Sequence, residues 1–168
     1  MRYLQFSLLF TLITAYSLCV AGSNPMPSHC KPDGFKFKSN LLILHTVNTT
    51  KPELYLFYNK SGQRLVLGHP HPPRGASAGW DSMLHAKKWS AFIVNRPKFA
   101  ISCTPIKKSD AIQSSVNCEK MLTVCRYLSI KINNPMMNGT FWVAEDGDII
   151  KIQDKIKKRG ITMPRLSE

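Results

Sequence analysis

The stretch LYLFYNKSGQRLVL, residues 54 to 67, decides the fold. Leu54-Tyr55-Leu56-Phe57-Tyr58-Asn59 is aromatic and aliphatic, Lys60-Ser61-Gly62 is a turn signal, and Arg64-Leu65-Val66-Leu67 resumes the apolar run. Two short strand-favouring runs joined by a turn with a glycine read as a β-hairpin. On its N-terminal side, FKFKSNLLILHTVN (residues 35 to 48) combines alternation at Phe35 and Phe37 with a continuous apolar run from Leu41 to Leu44. Both are strand patterns.

On the C-terminal side, His69-Pro70-His71-Pro72-Pro73-Arg74-Gly75 holds three prolines in seven residues. No strand runs through such a segment, which reads as an exposed polyproline-like connection. Strand patterns then recur at Ala78–Leu84 and Trp89–Val94, with Lys87-Lys88 as the turn between them. Lys98–Cys103 alternates strictly, so that Phe99, Ile101 and Cys103 face the core. Tyr127–Asn133 reads as a half-buried strand with Leu128, Ile130 and Ile132 on one side, and Thr140–Ala144 as a last central strand before an Asp146-Gly147 turn. Asp148–Ile152 fits a returning strand, whereas Gln153–Arg159 reads as a helix closed by Gly160 at C′. About eight short strands with turn signals roughly every ten residues predict a mainly β protein. The expected fold is a small disulfide-stabilised β-sandwich, immunoglobulin-like or cupredoxin-like, with one or two short helices.

At the N-terminus, Arg2 precedes an apolar run from Tyr3 to Leu18 and then the small residues Ala21 and Gly22. This is the order of a signal peptide over residues 1 to 22. The run is shorter than the ~20 apolar residues that a membrane-crossing helix needs. Cys19 raises lipidation, but Leu18 stands where a lipobox wants a small residue. A single domain is expected over residues 23 to 168, exported and either periplasmic or secreted, with no transmembrane segment. The whole chain carries +13; Arg2 is the one charge that leaves with the signal, so 22 Lys and Arg face 10 Asp and Glu, a net +12. That balance favours contact with an anionic surface or polyanion. The densest cluster, Lys155, Lys157, Lys158 and Arg159, is the candidate polyanion-binding site; nucleic acid is not the expected partner.

Four cysteines remain, Cys30, Cys103, Cys118 and Cys125, an even set that suits two disulfides in an exported protein. Cys118, Met121, Leu122 and Cys125 follow helical spacing behind Asn117, which can cap a helix. A helix over 117 to 125 would hold Cys118 and Cys125 ~10.5 Å apart, beyond the ~6.8 Å limit for a disulfide. Each must therefore reach Cys30 or Cys103. Cys103 with Cys118 and Cys30 with Cys125 is the preferred pairing, although spacing alone leaves the other open. The intervals contain no Cys-x2-Cys knuckle for zinc.

His69 and His71 would point the same way in extended chain, and with His45 and His85 they are candidate metal ligands. A cupredoxin-like copper site also needs a free thiolate, and the even cysteine set leaves none, so no cofactor is expected. A G-x-S-x-G pattern occurs at Gly75-Ala76-Ser77-Ala78-Gly79, but it lies between the proline-rich connection and a strand pattern and not at the strand-to-helix turn of a nucleophile elbow; no P-loop, dinucleotide fingerprint or HExxH occurs, and the acids are scattered. An enzyme is not expected. A cationic inhibitor and a secreted hydrolase are the remaining alternatives. Trp80, Trp89 and Trp142 sit in strand contexts and are expected in the core. Asn48, Asn59 and Asn138 each open a glycan acceptor tripeptide, which in a eukaryotic protein would mark surface loops.

Cys30, the Leu54–Asn59 strand, Lys88-Trp89-Ser90-Ala91-Phe92, Phe99–Cys103, the Cys-x6-Cys segment ending at Cys125-Arg126-Tyr127, Phe141-Trp142-Val143 and Arg159-Gly160-Ile161 together resemble the enhanced-entry protein B family of exported proteins from intracellular bacterial pathogens. The likeness covers most of the chain after the signal; Trp-Ser-Ala and the spacing of the last two cysteines are its most specific parts. It implies a periplasmic or surface location, a virulence-associated role linked to entry into host cells, and no catalytic residue. The partner it leads one to expect is a protein or another component of the envelope.

Overall fold

The computed structural model describes residues 26–46, 51–70, 81–106, 114–128, 130–133 and 140–165. The expected signal peptide lies outside them, as do His71, Trp80, Asn48 and Asn138. In chain order the elements are β1 (Cys30–Lys31), β2 (Phe35–Lys38), β3 (Leu41–Leu44), β4 (Glu53–Asn59), β5 (Arg64–Gly68), β6 (Asp81–Leu84), β7 (Trp89–Val94), β8 (Phe99–Ile106), α1 (Cys118–Met121), β9 (Leu122–Tyr127), β10 (Lys131–Ile132), β11 (Phe141–Gly147), α2 (Ile149–Lys158) and β12 (Ile161–Thr162).

Side chains of successive strand residues point to opposite faces, so a strand that is apolar at every position must be covered on both. The order β1-β9-β4-β7-β11 forms an inner sheet of this kind. From it Tyr55, Phe57, Phe92, Leu122 and Val124 point into a core shared with an outer sheet, β2-β3-β8-β5-β6, which contributes Leu42, Leu44, Leu65, Leu67, Phe99 and Ile101. The opposite face of the inner sheet carries Leu54, Leu56, Trp89, Ala91, Ile93 and Tyr127 against Ile152 and Ile156 of α2. The protein is mainly β: a sandwich of two antiparallel sheets with α2 as a third layer on one of them. A short pair, β10-β12, lies beside α2. Phe99, Ile101 and Cys103 are buried, as their alternation predicts.

Residues 54 to 67 do not form a hairpin. β4 lies in the inner sheet between β9 and β7, and β5 lies in the outer sheet between β8 and β6. The turn between them passes from one sheet to the other, and it is built around the fully buried Asn59. The Asn59 amide donates to the carbonyls of Gln63, Leu84 and His85 at 2.8, 3.1 and 3.1 Å, while its oxygen accepts from the Ser61 N–H and hydroxyl. β6 and β7 are split between sheets in the same way, with Lys87 in the left-handed region (φ 60°) at the corner. Phe35–Leu44, within the 35 to 48 stretch, is instead a true hairpin, turning at Ser39 (φ 54°).

The helix expected over 117 to 125 ends at Met121, and Leu122–Tyr127 is strand β9. Backbone pairing with β4, from Asn59↔Leu122 to Leu54↔Tyr127, overrides the helical spacing. The disulfides are Cys30–Cys125 and Cys103–Cys118, with Cα separations of 5.4 and 5.3 Å. Two further expectations are corrected. Tyr127–Asn133 is not one strand, because β9 ends at Tyr127 and, among the described residues after it, Lys131-Ile132 pairs instead with β12. β11 is an edge strand and not a central one; Val143 and Ala144 on one of its faces are covered by α2.

Candidate functional site

α2 starts at Ile149, so Asp148–Ile152 does not return as a strand. Ile152 and Ile156, one turn apart, pin it to the inner sheet, and Gly160 (φ 80°) closes it at the position that favours glycine. Asp148 stands at the N-cap without capping: its carboxylate is taken by Lys88 Nζ at 2.6 Å. That hydrogen bond and the lysine's charge hold the Asp148 pKa below the usual carboxylate range and raise that of Lys88.

With Ile152 and Ile156 facing inward, Lys151, Lys155, Lys157, Lys158 and Arg159 are all exposed, against Asp154 as the one exposed acid of the helix. At 100° per residue, Lys151, Lys155 and Lys158 form one row along the helix, and Lys157 stands on its other flank. Part of this cluster offsets the helix dipole, since cations are favourable in a last turn. Lys155, Lys158 and Arg159 do more than that. Together with Trp142, Val143, Ala144 and Glu145 of β11 they line an open cleft of about 410 Å³. Lys155 Nζ donates to the Glu145 carbonyl, which anchors it at the cleft. The ladder between β11 and β7 shifts register between Trp142 and Ala144 and again before Gly147. Ser90, buried in β7, donates its hydroxyl to the Ala144 carbonyl at 3.0 Å where the ladder is broken.

The four expected polyanion residues therefore divide: Lys155, Lys158 and Arg159 share the cleft, whereas Lys157 faces solvent outside it. The described candidate histidines, His45, His69 and His85, form no metal-holding group. His45 directly follows β3, its carbonyl accepting from the Tyr55 hydroxyl at 2.8 Å; His69 packs edge-on against Phe99 at 5.7 Å; and His85 binds Asp146 through Nδ1 (2.6 Å) and its backbone N–H (2.8 Å). Among the described residues no three His, Cys, Asp or Glu side chains are grouped closely enough to hold a metal ion. Trp89 is buried beneath α2 beside Tyr58 at 5.0 Å. Trp142 is half-buried against Phe57 and Phe92 at 5.6 and 4.6 Å. Asn59 is no surface loop: its side chain is sealed inside the turn it organises.

A second polar cluster has no signal in the sequence. The Tyr55 hydroxyl lies 2.9, 2.8 and 3.0 Å from the Gly34 and His45 carbonyls and Glu53 Oε2, and Arg126 bridges Asp33 (2.9 Å) and Glu53 (3.2 Å). Burial, then the Glu53 charge and hydrogen bond, push the Tyr55 pKa far above its usual value, so the phenol stays neutral. Gly34 (φ 72°) passes so close that a Cβ there would lie 2.7 Å from the Tyr55 hydroxyl and 2.9 Å from Arg126 Cδ. The cluster ties β1–β2, β4 and β9 together and is structural. Comparison with protein-family models, curated proteins and solved structures finds no match for this chain.

Proposed function

We propose that this chain is a non-catalytic, exported binding protein that meets an anionic surface through the outer face of α2. The observation that carries the reading is the set of five exposed cations on and just after a ten-residue helix, with one exposed acid among them. A cation held near an anionic surface contributes about 1 kcal/mol, so the helix face alone supplies roughly 4 kcal/mol, or about three decades of affinity. Two disulfides fit an oxidising, non-cytoplasmic compartment, and among the described residues no helix is long and apolar enough to cross a membrane. The anionic surface is an envelope component or a host-cell surface. A role of the enhanced-entry protein B kind belongs to the same proposal and rests on the sequence motifs alone.

Retention on heparin and on anionic vesicles tests it. The native chain should stay bound above physiological ionic strength and elute as salt shortens the Debye length to a few ångströms, about 3 Å at 1 M. Reversing charge at Lys151 and Lys157 together should bring elution to markedly lower salt. Elution of the native chain at low salt, or an unmoved elution point for the doubly reversed variant, would overturn the proposal.

A further inference from the structure

The cleft between the last turn of α2 and β11 is more specific than the face around it. The geometry points to a seat for one phosphate or sulfate ester carried on a sugar-sized body. This rests on the reading of the α2 face as anion-seeking and names the group that it takes.

The volume, about 410 Å³, lies within the ~300–1,000 Å³ usual for small-ligand sites and exceeds what a bare tetrahedral oxyanion fills. One wall is Lys155, Lys158 and Arg159. Lys155 is already anchored on the Glu145 carbonyl, so little freedom is lost when an anion arrives. A guanidinium such as that of Arg159 matches two oxygens of an oxyanion at once. The opposite wall is Trp142, Val143 and Ala144 of the edge strand β11, an apolar surface suited to the C–H face of a sugar ring, although the indole ring itself is turned into the core between the sheets. Glu145 also borders the cleft, leaving three cations against one carboxylate.

A helix C-terminus repels anions through its free carbonyls, but here the last turn is engaged. Arg159 N–H donates to the Lys155 and Ile156 carbonyls, and Gly160 N–H to that of Lys157. The rival occupant is an acidic peptide that adds a strand to β11. The two register shifts in β11 and the lysine on the Glu145 carbonyl oppose it, because bulges and lysines are how exposed sheet edges are guarded against strand addition.

Calorimetric titration of the intact exported chain with glucose 6-phosphate, a sulfated heparin disaccharide, inorganic phosphate and glucose tests the seat. At least one of the two sugar esters should bind one-to-one and about tenfold or more tighter than inorganic phosphate, with glucose not binding. Lys158→Glu should weaken that binding by about tenfold, whereas Lys157→Glu, outside the cleft, should leave it nearly unchanged while still lowering heparin retention. Displacement from vesicles containing phosphatidylinositol 4-phosphate by free glucose 6-phosphate would identify a lipid headgroup as the source. Binding of the disaccharide without binding to vesicles would identify a glycan; either supports the seat. Sugar esters that bind no better than inorganic phosphate, or equal losses for the Lys157 and Lys158 variants, would overturn it. In that case intact heparin retention leaves the broader electrostatic face standing.

Discussion

Asn59 shows how one side chain redirects the chain. Its amide protons are shared among three carbonyls and its oxygen accepts from Ser61, all within a site closed to solvent. Asn59→Ala leaves those groups buried and unpaired, so we expect a loss of about 3 kcal/mol in urea unfolding; a loss below about 0.5 kcal/mol would show that water replaces the amide. The same burial forbids glycosylation of the folded chain at Asn59, although Asn-Lys-Ser fits the acceptor rule. Mass spectrometry of the chain from a glycosylating host should find Asn59 bare. Asp148 supplies a pH test. Its folded pKa is depressed by Lys88, so its contribution to stability is complete above the ordinary value of 3.8 and disappears as pH falls through the lower folded value. The melting temperatures of the native chain and Asp148→Asn should differ at neutral pH and converge in strong acid. A gap unchanged at both would show that the pair contributes nothing through charge.

At the scale of elements, the disulfides and α2 carry separable shares of stability. On the chain-entropy estimate, a closure of 15 residues, as in Cys103–Cys118, contributes ~3 kcal/mol, and one of 95, as in Cys30–Cys125, nearly ~4.7 kcal/mol. Replacing each pair by alanines and comparing urea midpoints should rank Cys30–Cys125 as the greater loss; the reverse order would mean that local packing outweighs loop length. What the sequence reveals about these elements depends on how each is covered. β8 is legible because one face is buried while Ala100, Ser102 and Thr104 are half-exposed, which leaves strict alternation. β4 and β7 are legible as strands but not in their partners, since cover by a second sheet on one side and a helix on the other makes them uniformly apolar. Cys118, Met121, Leu122 and Cys125 misled because helical spacing and a helix-to-strand passage share those positions; only the distant β4 decides between them. The cation cluster was legible as a run of charge. The cleft was not, because its second wall comes from β11, whose edge position no local pattern declares.

For the molecule as a whole, the decisive feature is that both apolar cores share one sheet. The inter-sheet core and the core beneath α2 each draw on alternate residues of β4, β7, β9 and β11, so neither is completed without the strands that build the other. Loss of α2 would expose Leu54, Leu56, Ala91 and Ile93 on the very strands that hold Tyr55, Phe57 and Phe92 in the sandwich. Coupling of this kind favours all-or-none unfolding in a chain of this size. Two of the three tryptophans report the two cores separately, Trp89 beneath α2 and Trp142 between the sheets. In a Trp80→Phe background, comparison of Trp89→Phe and Trp142→Phe variants therefore resolves the two fluorescence signals, each variant silencing one core's reporter. Urea curves from each, with the disulfides intact, should coincide with far-ultraviolet circular dichroism of the same variant at one midpoint. If the Trp89 signal were lost at lower urea than the strand signal, α2 would be a detachable layer, and the basic face it carries would open and close independently of the sandwich.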